Sequence, residues 1–265
     1  MDSQRCGAAS PGGMARRILI LGGTTEARAL AAVLAARPGL SVTVSLAGRT
    51  ASPVAHAVPV RVGGFGGAAG LADWLRRERI AALVDATHPY AAGISANAAE
   101  AAEATGVPLL ALRRPAWAPV PGDRWTEVTD AAAAAAALGP APRRVFLALG
   151  RQELRPFEAA PQHAYLIRSV DPVEPPLAVP GARYLLGRGP FEAATEETML
   201  AAHRADAVVA KNSGGAASYG KIAAARALGV EVLLLRRPAL PPVPEVATVE
   251  AALAWLDHAP ALRGV

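Results

Sequence analysis

The chain is almost without cysteine. One residue, Cys6, stands among 265, so neither an intramolecular disulfide framework nor a cysteine-based metal site is available, which suits a reducing compartment. The five histidines are scattered and lack the spacing of a zinc site, so no metal is expected. Aromatic residues make up only 5% of the chain, and its basic residues are dispersed rather than gathered into a stripe. That combination argues against a nucleic-acid partner. No apolar run reaches the length of a bilayer; the segment Ala131 to Leu138 is far too short. Residues 1–15 hold Gly, Ser and Pro but no apolar secretory core, and read as a disordered tail with Met14 as a second candidate start. These absences predict a cytoplasmic protein without a membrane partner. There is also no Gly-x-Ser-x-Gly elbow and no Walker lysine loop.

Lysine is nearly missing too. Lys211 and Lys221 are the only two, and the net charge of +5 is carried almost entirely by arginine. Two explanations stay open. Genomic base composition would account for the arginine together with the abundant alanine, while a polyanionic ligand would be gripped by guanidinium forks.

What the chain does have is a duplication. Arg16-Arg17-Ile18-Leu19-Ile20-Leu21-Gly22-Gly23-Thr24-Thr25-Glu26-Ala27-Arg28 matches Arg143-Arg144-Val145-Phe146-Leu147-Ala148-Leu149-Gly150-Arg151-Gln152-Glu153-Leu154-Arg155 at one constant offset. Further on, the segment from Gly106 to Ala116 matches that from Gly229 to Ala239, each ending in Arg-Arg-Pro-Ala. Short apolar runs alternate with helical patterns in both halves. Strands are predicted at 17–21, 41–46, 58–62, 81–86 and 107–112, then at 144–149, 163–168, 182–186, 206–210 and 230–235. Helices are predicted at 25–36, 69–78, 91–105, 192–204 and 216–228. The strands are continuously apolar, as parallel strands buried on both faces are. The expectation is an α/β protein of two similar Rossmann-like domains, each a doubly wound parallel sheet, over 16–128 and 129–265, with a cleft between them. Each half ends in a proline-rich arm (115–121 and 238–244), which either packs on its own domain or reaches across to the other.

In such sheets ligands bind beyond the carboxyl ends of the strands. The first loop there, Gly22-Gly23-Thr24-Thr25-Glu26-Ala27, runs from strand through glycines into helix and is similar to a dinucleotide fingerprint. Glu26 suits the helix dipole but would repel a phosphate. After the second strand, Arg49 suits the 2′-phosphate of NADPH rather than the free ribose of NADH. A third pair of loops has diverged: Asp85-Ala86-Thr87-His88-Pro89-Tyr90 faces its counterpart Ala210-Lys211-Asn212-Ser213-Gly214-Gly215. The latter offers a lysine and a glycine-rich anion nest, with Ser213 readable also as a helix cap and Asp85 as a turn cap. Arg188, in Gly187-Arg188-Gly189-Pro190-Phe191, would pair with an acidic ligand. Lys221 falls inside the helix after the nest and reads as part of a solvated face.

Taken in order, Gly-Gly-Thr-Thr-Glu-Ala-Arg (22–28), Asp-Ala-Thr-His-Pro-Tyr-Ala (85–91), Gly-Arg-Gly-Pro-Phe (187–191), Lys-Asn-Ser-Gly-Gly (211–215) and Arg-Arg-Pro (236–238) resemble the precorrin-6A reductase family of cobalamin biosynthesis, over residues 16 to 257. The resemblance implies an NADPH-dependent oxidoreductase that reduces the C18–C19 double bond of a polycarboxylate corrin precursor, precorrin-6A, to precorrin-6B. It also implies transient contact with neighbouring enzymes of the pathway. By the same resemblance Gly22, Gly23, Thr24, Thr25 and Glu26 would cradle the cofactor, with Glu26 on ribose hydroxyls. Thr87, His88, Tyr90 and Lys211 would line the reacting region, Lys211 supplying either charge for a substrate carboxylate or the proton, and Arg188, Asn212, Ser213, Gly214 and Gly215 would hold substrate. Two other readings fit the duplicated fold: a non-catalytic two-lobed binding protein for an anionic ligand, and an NADPH reductase of a smaller acidic substrate.

Overall fold

A computed structural model describes residues 15–48 and 54–258. Most of the expected tail, Cys6 and Arg49 lie outside these residues.

The first sheet is built from β1 (Arg16–Leu21), β2 (Leu40–Leu46), β3 (Val60–Val62), β4 (Ala82–Asp85) and β5 (Leu109–Leu112). The second is built from β7 (Arg144–Ala148), β8 (Ala164–Ser169), β9 (Arg183–Leu186), β10 (Ala207–Lys211) and β11 (Glu231–Leu235). Two short strands complete them, β6 (Trp125–Val128) and β12 (Glu245–Val246). Every ladder is parallel. The strand orders β12-β5-β4-β1-β2-β3 and β6-β11-β10-β7-β8-β9 are the same arrangement twice. The central strands β4 and β5 are buried at every position. Alternate side chains enter separate cores on the two faces of each sheet, as in Ile18 and Ile20 against Leu19 and Leu21. Seven α-helices accompany the described strands: α1 (Thr25–Ala35), α2 (Gly67–Arg77), α3 (Ala92–Thr105), α4 (Ala131–Ala137), α5 (Ala193–His203), α6 (Gly220–Ala227) and α7 (Val249–His258).

The arms cross. After β5 the chain runs through Pro115, Pro119 and Pro121 to β6, which pairs with β11 in the second sheet, Val128 opposite Leu235. After β11 it runs through Pro238, Pro241, Pro242 and Pro244 to β12, which pairs with β5 in the first sheet, Val246 opposite Leu112. The helices follow their strands: α4 packs in the core of the second sheet and α7, through Ala252 and Leu256, in that of the first. Prolines suit this path. They lack the N–H that would fold the arm into a helix, and they bias the preceding residue toward extended backbone. The first lobe therefore takes β12 and α7 from beyond the expected division at residues 128 and 129, and the second takes β6 from before it, while α4 already lies on its own side.

Two local differences from the predicted elements have plain causes. The predicted helix 216–228 is a 3₁₀ turn (Ala216–Ser218) followed by α6, because Gly214 and Gly215 hold left-handed backbone at φ +67° and +74° just before it. Between β7 and β8, where the first lobe has α1, the second has only two 3₁₀ turns, Arg151–Glu153 and Arg155–Ala159. Pro156 and Pro161 each remove a helical donor from that short segment.

Candidate active site

The carboxyl ends of both sheets face one cavity of about 1000 Å³. On the first-lobe side it is lined by Gly22, Gly23, Thr24, Thr25 and Glu26, then by Thr87 and His88; on the second-lobe side by Arg188, Ser213, Gly214 and Gly215. A smaller cavity of about 440 Å³ adjoins it and shares His88, Ser213 and Phe191. Its wall in the second lobe carries four basic residues, Arg151, Arg168, Lys211 and Lys221, against two carboxylates, Glu153 and Asp171.

The glycine turn is built for close approach. A Cβ on Gly22 would lie 2.9 Å from Val44 Cγ1, and Gly23 sits at φ +116°, where side chains are strained. Thr24 then caps α1: its Oγ1 accepts from Ala27 N at 3.1 Å and donates to Ala86 O at 2.8 Å, tying this loop to the end of β4. The Glu26 carboxylate does not stand alone. Arg114 pairs with it at 2.6 Å and reaches across to donate to Ser213 O at 2.7 Å. The pair removes the repulsion that an isolated Glu26 would exert on a phosphate at the start of α1, and it straps the lobes together.

The loop after β4 hangs on a buried carboxylate. Asp85 Oδ1 accepts from Thr87 N (3.1 Å) and Thr87 Oγ1 (2.6 Å), and Oδ2 accepts from Ser95 Oγ (2.6 Å). Arg113 lies 3.5 Å from Asp85 and 2.8 Å from Glu245 of the crossed strand β12. Beyond this anchor His88 meets Ser213, its own counterpart in the duplication, with Nε2 and Oγ 3.2 Å apart. Burial first, then the positive charges of Arg114, Lys211, Arg237 and Lys221, push His88 down to about 3. The imidazole is therefore neutral. Its Nδ1 accepts from Tyr90 N at 3.3 Å, which assigns the remaining proton to Nε2 and makes that atom the donor to Ser213.

Tyr90 and Asn212 sit in the seam between the lobes rather than on either cavity wall. The Tyr90 hydroxyl accepts from Asn212 N at 2.7 Å and donates to Leu235 O; burial raises it to about 12, so it stays protonated. Asn212 Oδ1 accepts from Trp117 N at 2.8 Å, its Nδ2 donates to Trp117 O at 3.0 Å, and its carbonyl accepts from Arg237 at 2.9 Å. The nest glycines serve the seam as well as the cavity: a Cβ on Gly214 would fall 2.1 Å from Pro115 O of the crossing arm. Lys211 lines the smaller cavity with its Nζ 2.5 Å from Glu153 Oε1. Lys221 is not on a solvated face. It is 4% exposed, because α6 turns that side chain inward beneath Trp117.

The residues that the motifs did not single out are Arg114, Trp117, Glu153 and Lys221. A signal existed for Arg114, since Arg-Arg-Pro closes both repeats and Arg237 likewise holds the seam through the carbonyls of Asn212, Arg114 and Pro115.

The family model for precorrin-6x reductase CbiJ/CobK matches residues 17–257. The chain belongs to the precorrin-6x reductase family. Curated relatives agree: it is 58% identical over 242 residues to a precorrin-6A reductase of Sinorhizobium sp, covering 91% of this chain and 93% of that one. It is 53% identical to the precorrin-6A reductase of Rhodobacter capsulatus, covering 94% of this chain and 99% of the other. The solved structure of a CobK precorrin-6A reductase superposes with a TM-score of 0.89 at 52% identity, over 94% of this chain and all of that one. The two parallel-sheet lobes are thus the architecture of a known precorrin-6x reductase. Among the described residues no helix is long and apolar enough to cross a membrane, and no cluster of three or more His, Cys, Asp or Glu could hold a metal.

Proposed function

We propose that this reductase uses NADPH to saturate the C18–C19 double bond of precorrin-6A, giving precorrin-6B. The observation that carries the reading is the cavity itself: at about 1000 Å³ it is bounded by a glycine turn and helix N-terminus on one lobe and by an anion-favouring wall on the other. That volume lies at the upper end for small-molecule sites, as two ligands in contact require.

The residues present fit a dinucleotide. Gly22 lets the turn pack against Val44, Gly23 with open space around it would admit the pyrophosphate, and the N–H groups opening α1 would supply its donors. Thr24 holds that turn against β4, and Thr25 and Glu26 lie within reach of ribose hydroxyls, Glu26 with its charge already balanced by Arg114. Arg49 is assigned to the 2′-phosphate. When bound, the reduced nicotinamide supplies a hydride. The chain's own task is to orient the acceptor and to satisfy its carboxylates. Arg188, Ser213, Gly214 and Gly215 are placed to bind acetate or propionate groups at the cavity mouth, and Lys211 adds a fixed cation beside the smaller cavity. Thr87 and neutral His88 offer hydrogen bonds without a competing charge. Tyr90 and Asn212 act by holding the lobes at their working separation.

The test is an absorbance assay of NADPH oxidation with purified precorrin-6A. Turnover that requires both compounds is expected. A protein that binds a corrinoid but never oxidises NADPH would be the non-catalytic two-lobed binder instead, and oxidation by small dicarboxylates but not by precorrin-6A would favour the third reading. NADPH is expected to outcompete NADH, and Arg49→Ala to remove most of that preference; equal affinities in the wild type would take Arg49 out of this role.

A further inference from the structure

This chain meets almost every demand for positive charge with arginine. Twenty-five arginines accompany two lysines. Arginine cannot give up its proton near neutrality, whereas a lysine amine does so when burial makes its charge costly. The two side-chain amines are therefore the places to look for proton chemistry, and both line the same small cavity.

Their surroundings differ. Lys211 closes β10 and is ion-paired with Glu153 at 2.5 Å. Lys221 is buried on α6, its Nζ donating to Ser218 O at 2.5 Å and lying 5.1 Å from the Trp117 ring centroid. Among the described residues no carboxylate stands within ion-pair distance of it. The charged groups packed around it are Arg168 of β8 and Glu196 of α5, themselves paired at 2.5 Å; the rest of the cavity wall carries Lys211 with Glu153, Arg151 with Asp171, and His88. Glu196 is already paired with Arg168 and Glu153 with Lys211, so Lys221 is the buried cation of this group with no carboxylate of its own.

We propose that Lys221 is the proton donor of the reduction, a catalytic residue whose ammonium delivers a proton to the ring carbon through the smaller cavity. This rests on the reductase reading above. As the π bond opens, one ring carbon takes the hydride from the nicotinamide. The other forms a C–H bond with a proton from Lys221 Nζ as that N–H bond breaks. Lys221 is left as a neutral amine and is reprotonated by water. Burial, reinforced by Arg168 and opposed by Glu196, lowers Lys221 to about 7, where a general acid is both populated and willing to donate. Lys211, held by Glu153, keeps the role of a fixed cation.

The scarcity of lysine makes the test direct. Protein labelled with ¹³C at lysine Cε has two side-chain signals. One should titrate near neutrality in the ligand-free enzyme and be the signal missing from Lys221→Met. Two signals titrating at the ordinary lysine value of roughly 10.4 would overturn the proposal. In the NADPH and precorrin-6A assay, Lys221→Met should lower kcat about 100-fold with NADPH affinity unchanged. Lys221→Arg should be equally slow, and added ethylammonium should restore turnover to Lys221→Ala. An arginine variant as fast as wild type would show that a fixed cation suffices and sink the idea. Should these variants not fold, the wild type decides: kcat must fall as pH rises through the value seen by resonance and must show a solvent isotope effect. A flat profile without one overturns the assignment. Failure of the wild type to oxidise NADPH at all would instead reject the reductase reading, and this proposal with it.

Discussion

The two lobes share one strand order and one repeated sequence pattern, yet their cavity-facing loops differ. Gly23 and Gly150, Glu26 and Glu153, and His88 and Ser213 are counterparts, yet each pair has split. In the first lobe Gly23 at φ +116° leads into an eleven-residue helix capped by Thr24. In the second, Gly150 sits at an ordinary φ of −73° and leads into a three-residue 3₁₀ turn. A helix N-terminus behind a left-handed glycine makes a phosphate site; a short turn bounded by prolines does not. The second lobe has instead gathered Arg151, Arg168, Lys211 and Lys221 around its cavity. On the proposed reading, the helix that only the first lobe has here suits its wall to a dinucleotide, and the cations of the second suit its wall to a polyacid.

The seam gives the largest expected effect. Only the first lobe's side of it titrates, since Ser213 faces His88. His88 is held at about 3 against an ordinary 6.5, so the folded protein keeps it neutral where the unfolded chain would take up a proton. The sign follows: this contribution costs nothing above about pH 6.5, and stability is lost as pH falls from there toward about 3, on the order of 5 kcal/mol in all. His56, His163 and His203 are also lowered and act in the same direction. The measurement is therefore a difference. Denaturant midpoints of wild type and His88→Gln should converge as the pH is lowered, while Ser213→Ala should leave the wild-type slope unchanged. Parallel slopes in wild type and His88→Gln would show that the seam does not hold His88 neutral.

The next effect tests the glycine pair. Gly23→Val forces a β-branched residue into left-handed backbone, a strain of about 1–3 kcal/mol. NADPH should bind about 10- to 100-fold more weakly in a fluorescence titration. Gly150→Ala needs no change of backbone region, and what stands in the way is the carboxylate of Glu153, 2.5 Å from the new Cβ, on the second lobe beside Lys211. NADPH affinity should then stay within about twofold. The opposite ranking would place the dinucleotide on the second lobe.

The sequence disclosed much of this and concealed a definite part. The continuously apolar strands and the repeated Arg-Arg…Gly…Glu…Arg spacing made two parallel sheets readable, because burial on both faces and local periodicity are written into consecutive residues. The crossing of β6 and β12 was not readable. Both strands are short, flanked by prolines, and their pairing with β11 and β5 depends on which sheet edge each arm reaches, a matter of contacts across more than a hundred residues. The motif loops were legible for the same reason as the strands, and Thr87, His88, Arg188 and the 213–215 nest do converge on one cavity. Tyr90 and Asn212 carried the same motif signal but stand in the seam, since a motif does not say which way a side chain turns. Lys221 was misread because a helix with many alanines has no clear polar face: four of the eight residues of α6 are alanine.

The smallest effect is also the sharpest discriminator. Glu26 and Glu153 occupy one position in two copies, and each is bound to a single cation, Arg114 at 2.6 Å and Lys211 at 2.5 Å. If the lobes have divided cofactor from substrate, removing the two charges must affect different ligands. If Glu26 holds a ribose hydroxyl as proposed, Glu26→Gln would weaken a charge-assisted hydrogen bond and KM for NADPH should rise, by about tenfold at most for a bond of ~1.5 kcal/mol. KM for precorrin-6A should hold. Glu153→Gln releases Lys211 toward the smaller cavity, where an unpaired cation attracts carboxylates. KM for precorrin-6A should fall several-fold, roughly the gain of one exposed ion pair, with KM for NADPH unchanged. Steady-state kinetics with one ligand varied at a time reads both. Two variants that shift the same KM would mean that the lobes share both ligands and that their divergence serves the seam rather than the chemistry.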